Sequence, residues 1–327
     1  MNRPLFMPLA RVLAIGCVAL FNSFASAQIW QGGQPLRVIV PFPGGASTMD
    51  SVVRTLAPEI SKAIGVPVIV DNRPGAGTVI GVDATAKATD GRTVGAVANS
   101  FTVNQTLVKN LPYDASRDLQ PVVFMARTAN VLAVRAGLPA NTLPELIAFA
   151  KSNPGKLSYG SFGNGTTAHF AGEMLKTAAG IFVVHIPYRG QGPALTDLLG
   201  GNIDMMFGNL PDFLPHIRSG KLKALGTTYL TRAPLAPEIP TVAEQGFPGF
   251  ETDSWYGIVA PASMPRDLVE RINTAFNRAL EDPAVRKNLS ERGIESIGGT
   301  SMRLGDHIRS EIAKYAKIVR DSGMQID

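Results

Sequence analysis

The residues best suited to chemistry lie in one stretch, Leu157-Ser158-Tyr159-Gly160-Ser161-Phe162-Gly163-Asn164-Gly165-Thr166-Thr167-Ala168-His169-Phe170. It reads as a short strand, a glycine turn and a helix start. Glycine lets the backbone approach a ligand closely and adopt positive φ. Thr166 or Thr167 suits the cap of a helix that continues through Ala171, Met174 and Leu175. The first N–H groups of such a helix have no intrahelical acceptor and carry a partial positive charge, which suits a carboxylate or phosphate. The chemistry this predicts is non-covalent: a small organic anion is held and released unchanged.

Competing chemistries find less support. Gly163-Asn164-Gly165-Thr166-Thr167-Ala168 fits the dinucleotide pattern G-x-G-x-x-A. That pattern needs an acid about 20 residues on to hold a ribose, and the next strand ends at His185-Ile186-Pro187-Tyr188 without one. No G-x-x-x-x-G-K-[ST] phosphate loop occurs, and the four histidines His169, His185, His216 and His307 form no H-x-x-x-H or H-E-x-x-H pair. His169, one turn into the helix, suits a structural bond to a nearby loop; ligand contact and general-base work are its other roles, the last lacking any nucleophile motif beside it. Basic residues, 31 against 26 acidic, are scattered without clusters or interleaved aromatics, so a nucleic-acid partner is not expected.

Positioning these residues requires a fold that begins after an export signal. Arg3 and Arg11 precede the apolar run 12–21 and then Ala25-Ser26-Ala27, a charged region, a hydrophobic region and a cleavage site. Cys17, the sole cysteine, falls within this segment, and Ala14-Ile15-Gly16-Cys17 lacks the leucine of a lipoprotein signal. The chain from Gln28 to Asp327 is expected in the periplasm, without disulfide or cysteine-bound metal. It then alternates strand, loop and helix. The strand 36–40 leads into the loop Pro41-Phe42-Pro43-Gly44-Gly45-Ala46-Ser47-Thr48 and a helix over 49–64. The strand 66–70, the loop Asn72-Arg73-Pro74-Gly75-Ala76-Gly77-Thr78, the helix 79–87 and the strand 93–98 repeat the plan. Two strand-like runs, 122–126 and 131–134, precede a second set of such units, and amphipathic helices at 266–280, 283–292 and 302–321 close the chain. Alternation of this kind argues for open α/β sheets. Helices left over at the C-terminus argue for a discontinuous first domain, 28–127 with 254–327, and a second, 128–253, with a ligand between them at the strand-end loops. There, Ser47 and Thr48 suit helix capping and ligand contact alike, Phe42 suits core or cleft, Arg189 suits an anion or a surface acid, and Asn99, Ser100 and Asn209 suit a cleft or a solvated loop.

The chain resembles the substrate-binding proteins of tripartite tricarboxylate transporters, the Bug family. The marks are Val40-Pro41-Phe42-Pro43-Gly44-Gly45, Asn72-Arg73-Pro74-Gly75-Ala76-Gly77, the stretch 154–161, Gly163-Asn164-Gly165-Thr166-Thr167-Ala168-His169, Pro187-Tyr188-Arg189-Gly190, the stretch 194–201 and Ile239-Pro240-Thr241-Val242-Ala243-Glu244. The resemblance spans essentially all of the chain after residue 27. It implies an α/β periplasmic binding protein, two-lobed and type II-like, each lobe a sheet flanked by helices, with a ligand cleft between them. It implies a carboxylate ligand, from di- and tricarboxylates, amino acids and nicotinate to aromatic acids, held by Phe42, Gly45, Ser47 and Thr48 of one lobe and Ser161, Asn164, Thr166 and Thr167 of the other, with Asn209 joining them. It also implies delivery to a membrane permease, with no cofactor and no catalysis. One departure concerns the first loop, where the family reads P-F-x-P-G-G-x-x-D; here Asp50 stands one place later, which leaves open whether Ser47 or Thr48 faces the ligand. The alternatives are an enzyme on a carboxylate substrate with His169 as base, and a sensor presenting its ligand state to a membrane kinase.

Overall fold

The structure, a computed structural model, describes residues 33–45 and 47–322; the expected signal at 1–27, with Cys17, lies outside them. The first unit places β1 (Leu36–Val40), β2 (Val68–Asn72) and β3 (Thr93–Val97) in parallel. Their crossovers are α1 (Thr48–Ile64) and α2 (Val79–Ala86). β1 and β3 are almost wholly buried, as expected of β-branched parallel strands covered on both faces. Residues 99–100, read as a strand-end loop, open a helix instead: α3 (Asn99–Leu107). Its sequence, with Asn, Ser, Thr and Asn, has poor helix propensity, and the turn forms because its Phe101 and Val103 are buried.

The runs at 122–126 and 131–134 are one strand, β4 (Leu119–Arg135), not two. Seventeen residues long, it passes through both halves of a ten-stranded sheet. The second unit follows: α4 (Leu143–Ser152), β5 (Ser158–Ser161), α5 (Thr167–Ala179), β6 (Val184–Pro187), α6 (Gln191–Gly200), β7 (Met205–Asn209), α7 (Leu210–Arg218) and β8 (Leu222–Thr227). The chain then returns through β9 (Asp253–Pro261), α8 (Arg266–Glu281), α9 (Pro283–Glu291), β10 (Ile294–Ser296) and α10 (Ser301–Ser322). β9 lies antiparallel to β3 and to Leu119–Ala129 of β4, whereas the later part of β4 pairs with β7 and β8. The sheet therefore belongs to two lobes, with β4 common to both.

Each lobe has its own apolar core. One gathers Val38, Val52, Leu56, Met125, Ile258 and Phe276; the other gathers Leu132, Leu146, Tyr159, Leu175 and Phe207. A small cluster of Val103, Leu107, Phe170 and Tyr315 joins the lobes through α3, α5 and α10. Packing is tight under α5, where a Cβ on Gly172 would lie 2.3 Å from the Tyr159 ring. Gly172→Ala should therefore destabilise the fold by about 1–3 kcal/mol through overpacking, although alanine is the better helix former by about 1 kcal/mol. Urea unfolding checks this; a more stable variant would show that the ring moves freely.

Candidate functional site

Five helix N-termini, those of α1, α3, α5, α6 and α7, open on one cavity between the lobes. In the first lobe, Ser47 caps α1 by accepting from Asp50 N at 3.1 Å. Asp50 turns back on the loop: its carboxylate accepts from Gly45 N at 2.8 Å, Asn72 Nδ2 at 2.8 Å and Arg54 Nε at 2.8 Å. Burial pushes this acid up, but the bonds from Arg54, Asn72 and Gly45 outweigh it and hold it below its ordinary range. Asn72 Nδ2 also donates to the Phe42 carbonyl at 2.9 Å. The displaced acid of the first loop is thus a clamp, and it leaves both Ser47 and Thr48 on the cavity wall.

The central stretch of the second lobe satisfies its own polar atoms. The Thr166 hydroxyl donates to Gly163 O at 2.6 Å and makes no bond to the α5 cap. Ser161 Oγ meets His185 Nε2 at 2.7 Å, and Gly165 N donates to His169 Nδ1 at 3.2 Å. The structural role expected of His169 is thereby realised. Burial pushes His169 down to about 4 and His185, stacked on it at 4.2 Å, down to about 3, so both rings are neutral near pH 7. His169 does not line the cavity.

The floor is a hydrogen-bonded ring that crosses the lobes. Thr48 Oγ1 donates to Asp212 Oδ2 at 2.7 Å, and Gln191 Nε2 donates to the same oxygen. Gln191 Oε1 accepts from Asn209 N at 2.8 Å, and Asn209 Nδ2 reaches Thr48 Oγ1 at 2.8 Å and Tyr256 OH at 3.1 Å. Asn130 Nδ2 donates to Asn209 Oδ1 at 2.9 Å and to Ser254 Oγ at 3.0 Å. Burial pushes Asp212 up, against the bonds from Thr48 and Gln191.

The cavity is narrow, with a volume of about 30 Å³, and among the described residues no Lys, Arg, Asp or Glu lines it. Of the residues expected from sequence, Phe42, Ser47, Thr48, Thr166, Thr167 and Asn209 line it. Gly45, Ser161 and Asn164 do not. Gly45 faces the Asp50 clamp, Ser161 lies buried beneath the turn, and the Asn164 carbonyl faces Gly77 across the cleft, 3.1 Å from where a Cβ would stand. Gln191, Ser254 and Tyr256 complete the wall together with Asn99 and Ser100 at the start of α3. Nothing local marks Ser254 and Tyr256, because only the antiparallel return of β9 carries them under the cavity. Gln191 follows Pro187-Tyr188-Arg189-Gly190, and its place after a strand end was the available signal.

Two α/β lobes with helix N-termini converging on a cavity between them define a periplasmic binding protein fold, and the solved structure of the periplasmic binding protein BugD shares it, with a TM-score of 0.85, 31% identity and coverage of 89% of this chain and 98% of BugD. The chain belongs to the tripartite tricarboxylate transporter family receptor proteins, whose family pattern matches residues 52–324. It is 35% identical over 326 residues to the protein BugT of Bordetella pertussis, covering 98% of this chain and 100% of BugT. The structure of Rpa4515 of R. palustris with adipate is also similar, with a TM-score of 0.85, 32% identity and coverage of 89% and 98%.

Proposed function

We propose that this receptor captures a small carboxylate in the cavity and hands it to the membrane permease of a tripartite transporter. The supporting observation is the convergence of helix N-termini on an uncharged cavity. Each such terminus favours an anion by about 0.3–1 kcal/mol, and up to about 2 kcal/mol when partly buried. In this cavity neutral donors hold an acid without a buried ion pair that would oppose release. The ligand of Rpa4515, a dicarboxylate, agrees with this chemistry. In this reading the contacts to the acid come from Ser47, Thr48, Thr166, Thr167 and Asn209, with Phe42 against its body. Gly45, Ser161 and Asn164 act by shaping the two loops.

The domains 28–127 with 254–327 and 128–253 are the moving bodies, and β4 with the return at residue 253 is the hinge. A ligand touching both favours the closed arrangement by its differential affinity. Export through residues 1–27 delivers the protein to the periplasm. Binding without chemistry agrees with His169 and His185 standing off the cavity wall.

The experiment is a thermal-shift and calorimetric panel of di- and tricarboxylates, aromatic acids and amino acids, with the acid recovered and analysed afterwards. A bound and unchanged carboxylate is expected; a product, or no response to any acid, overturns the reading. In the same panel Thr166→Val with Thr167→Val should weaken binding at least tenfold, about 1.4 kcal/mol. An unaltered affinity in the folded double variant would remove the central stretch from the site.

A further inference from the structure

A second chamber of about 470 Å³ lies outside the first. Its walls come from both lobes: Pro41, Pro43 and the turn at 74–78 on one side, the loop 188–190 on the other. The two chambers share Phe42, Phe162 and Thr166, so aromatic rings of opposite lobes form part of the wall between them. The lobes meet again beyond it, where a Cβ on Gly190 would lie 3.4 Å from Pro43 Cδ.

Charge is distributed unevenly along this path. Among the described residues the inner cavity has no charged side chain in its wall, and the outer chamber has one, Arg189. Arg189 is exposed, and no ion pair or hydrogen bond among the described residues engages its guanidinium. Its loop is nonetheless fixed. Tyr188 N donates to Ser161 O at 3.0 Å, and Tyr188 OH donates to Asp197 Oδ2 at 2.7 Å, which also occupies the nearest acid on α6.

Building on the carboxylate reading of the inner cavity, the geometry points to a second anion subsite at Arg189, and hence to an elongated diacid as ligand. One carboxylate lies among the helix N-termini. The body, a methylene chain or a flat ring, passes between Phe42 and Phe162. The distal carboxylate meets the guanidinium, whose planar fork matches it. A compact tricarboxylate fits less well, because it would press charged groups against rings and prolines, where they lose hydration without a partner. A diacid that spans both chambers also touches both lobes at two places, which strengthens its preference for the closed arrangement.

Calorimetry with adipate and hexanoate, acids of equal chain length and different terminal charge, tests this. The wild-type protein should bind adipate at least tenfold more tightly than hexanoate. Arg189→Gln should weaken adipate about tenfold while changing hexanoate less than twofold, and Arg189→Lys should recover most of the loss. Adipate binding that survives Arg189→Gln, an equal effect on both acids, or a wild-type protein that prefers hexanoate overturns the subsite. If neither acid binds while another carboxylate of the panel does, the elongated-diacid assignment fails and the receptor reading stands; if no carboxylate binds, both fail.

Discussion

Asn209→Leu is expected to weaken carboxylate binding at least a hundredfold and to lower stability by about 2–4 kcal/mol. The leucine keeps the number and branching of the side-chain heavy atoms, so the effect comes chiefly from the lost hydrogen bonds. Asn209 Nδ2 supplies hydrogen bonds to Thr48 Oγ1 and Tyr256 OH, and Oδ1 accepts from Asn130 Nδ2. Asn209 and Thr48 are 6% and 1% exposed, so water does not replace the lost partner freely. Each buried group left unsatisfied costs about 1–3 kcal/mol. Thr48 opens α1 in one lobe and Asn209 ends β7 in the other, so the loss falls on the arrangement in which the lobes are together. Affinity then drops through the population of that arrangement as well as through the missing donor. Calorimetry and urea unfolding of the same preparation separate the two effects. An affinity within threefold of wild type, in a folded variant, would mean that the ring is scaffolding with no link to the ligand.

The second large effect is on stability against pH. Asp253 opens β9, where the chain re-enters the first lobe. Burial pushes its carboxyl from an ordinary 3.8 to about 6, and the neighbouring acid Glu311 adds to this; Lys314 and Arg127 oppose, and Glu251 is a weaker acidic neighbour. The raised value means that the folded chain holds this proton more tightly than the unfolded chain. Below about pH 4 the group is protonated in both states and costs nothing. As pH rises through the interval from about 4 to 6, the unfolded chain releases the proton first, so stability is lost, by about 3 kcal/mol on reaching the plateau above pH 6. Asp253→Asn removes that slope. The variant should match wild type near pH 3.5 and exceed it by about 2–3 kcal/mol at pH 7.5, since no ionised carboxylate must then be buried. Urea midpoints at the two pH values decide; an offset that is the same at both would show that the Asp253 charge is not the cause.

Much of the site was legible in order along the chain. Phe42, Ser47, Thr48, Thr166, Thr167 and Asn209 all stand just after a strand or at the start of a helix, and in an α/β fold such positions face the cleft. Asn99 and Ser100 stood in the same position and were legible only as polar residues beyond a strand; their helix was hidden by weak propensity and revealed by burial. The continuous β4 was hidden for a related reason. The segment from Arg127 to Asn130 breaks the apolar run, yet Thr128 and Asn130 are fully buried because pairing with β9 and β10, the Gly293 carbonyl and Thr228 supply most of their hydrogen bonds, Asn130 Oδ1 being left without a partner.

Local sequence by itself determined the repeating units, the glycine turns and the helix caps, because these depend on neighbours a few residues apart. It also determined which loops carry hydroxyls and amides rather than charges, and so the kind of ligand expected. Tertiary structure alone decided which of those loops meet. The bonds from Thr48 to Asp212 and from Asn209 to Tyr256 join residues far apart in the chain, and no local pattern encodes such a pairing. The same holds for the clamp on Asp50 and for the division of the cleft into an uncharged inner cavity and an outer chamber bearing Arg189. Both arise from packing two lobes together, where desolvation makes every unpaired polar atom costly and so selects a partner across space.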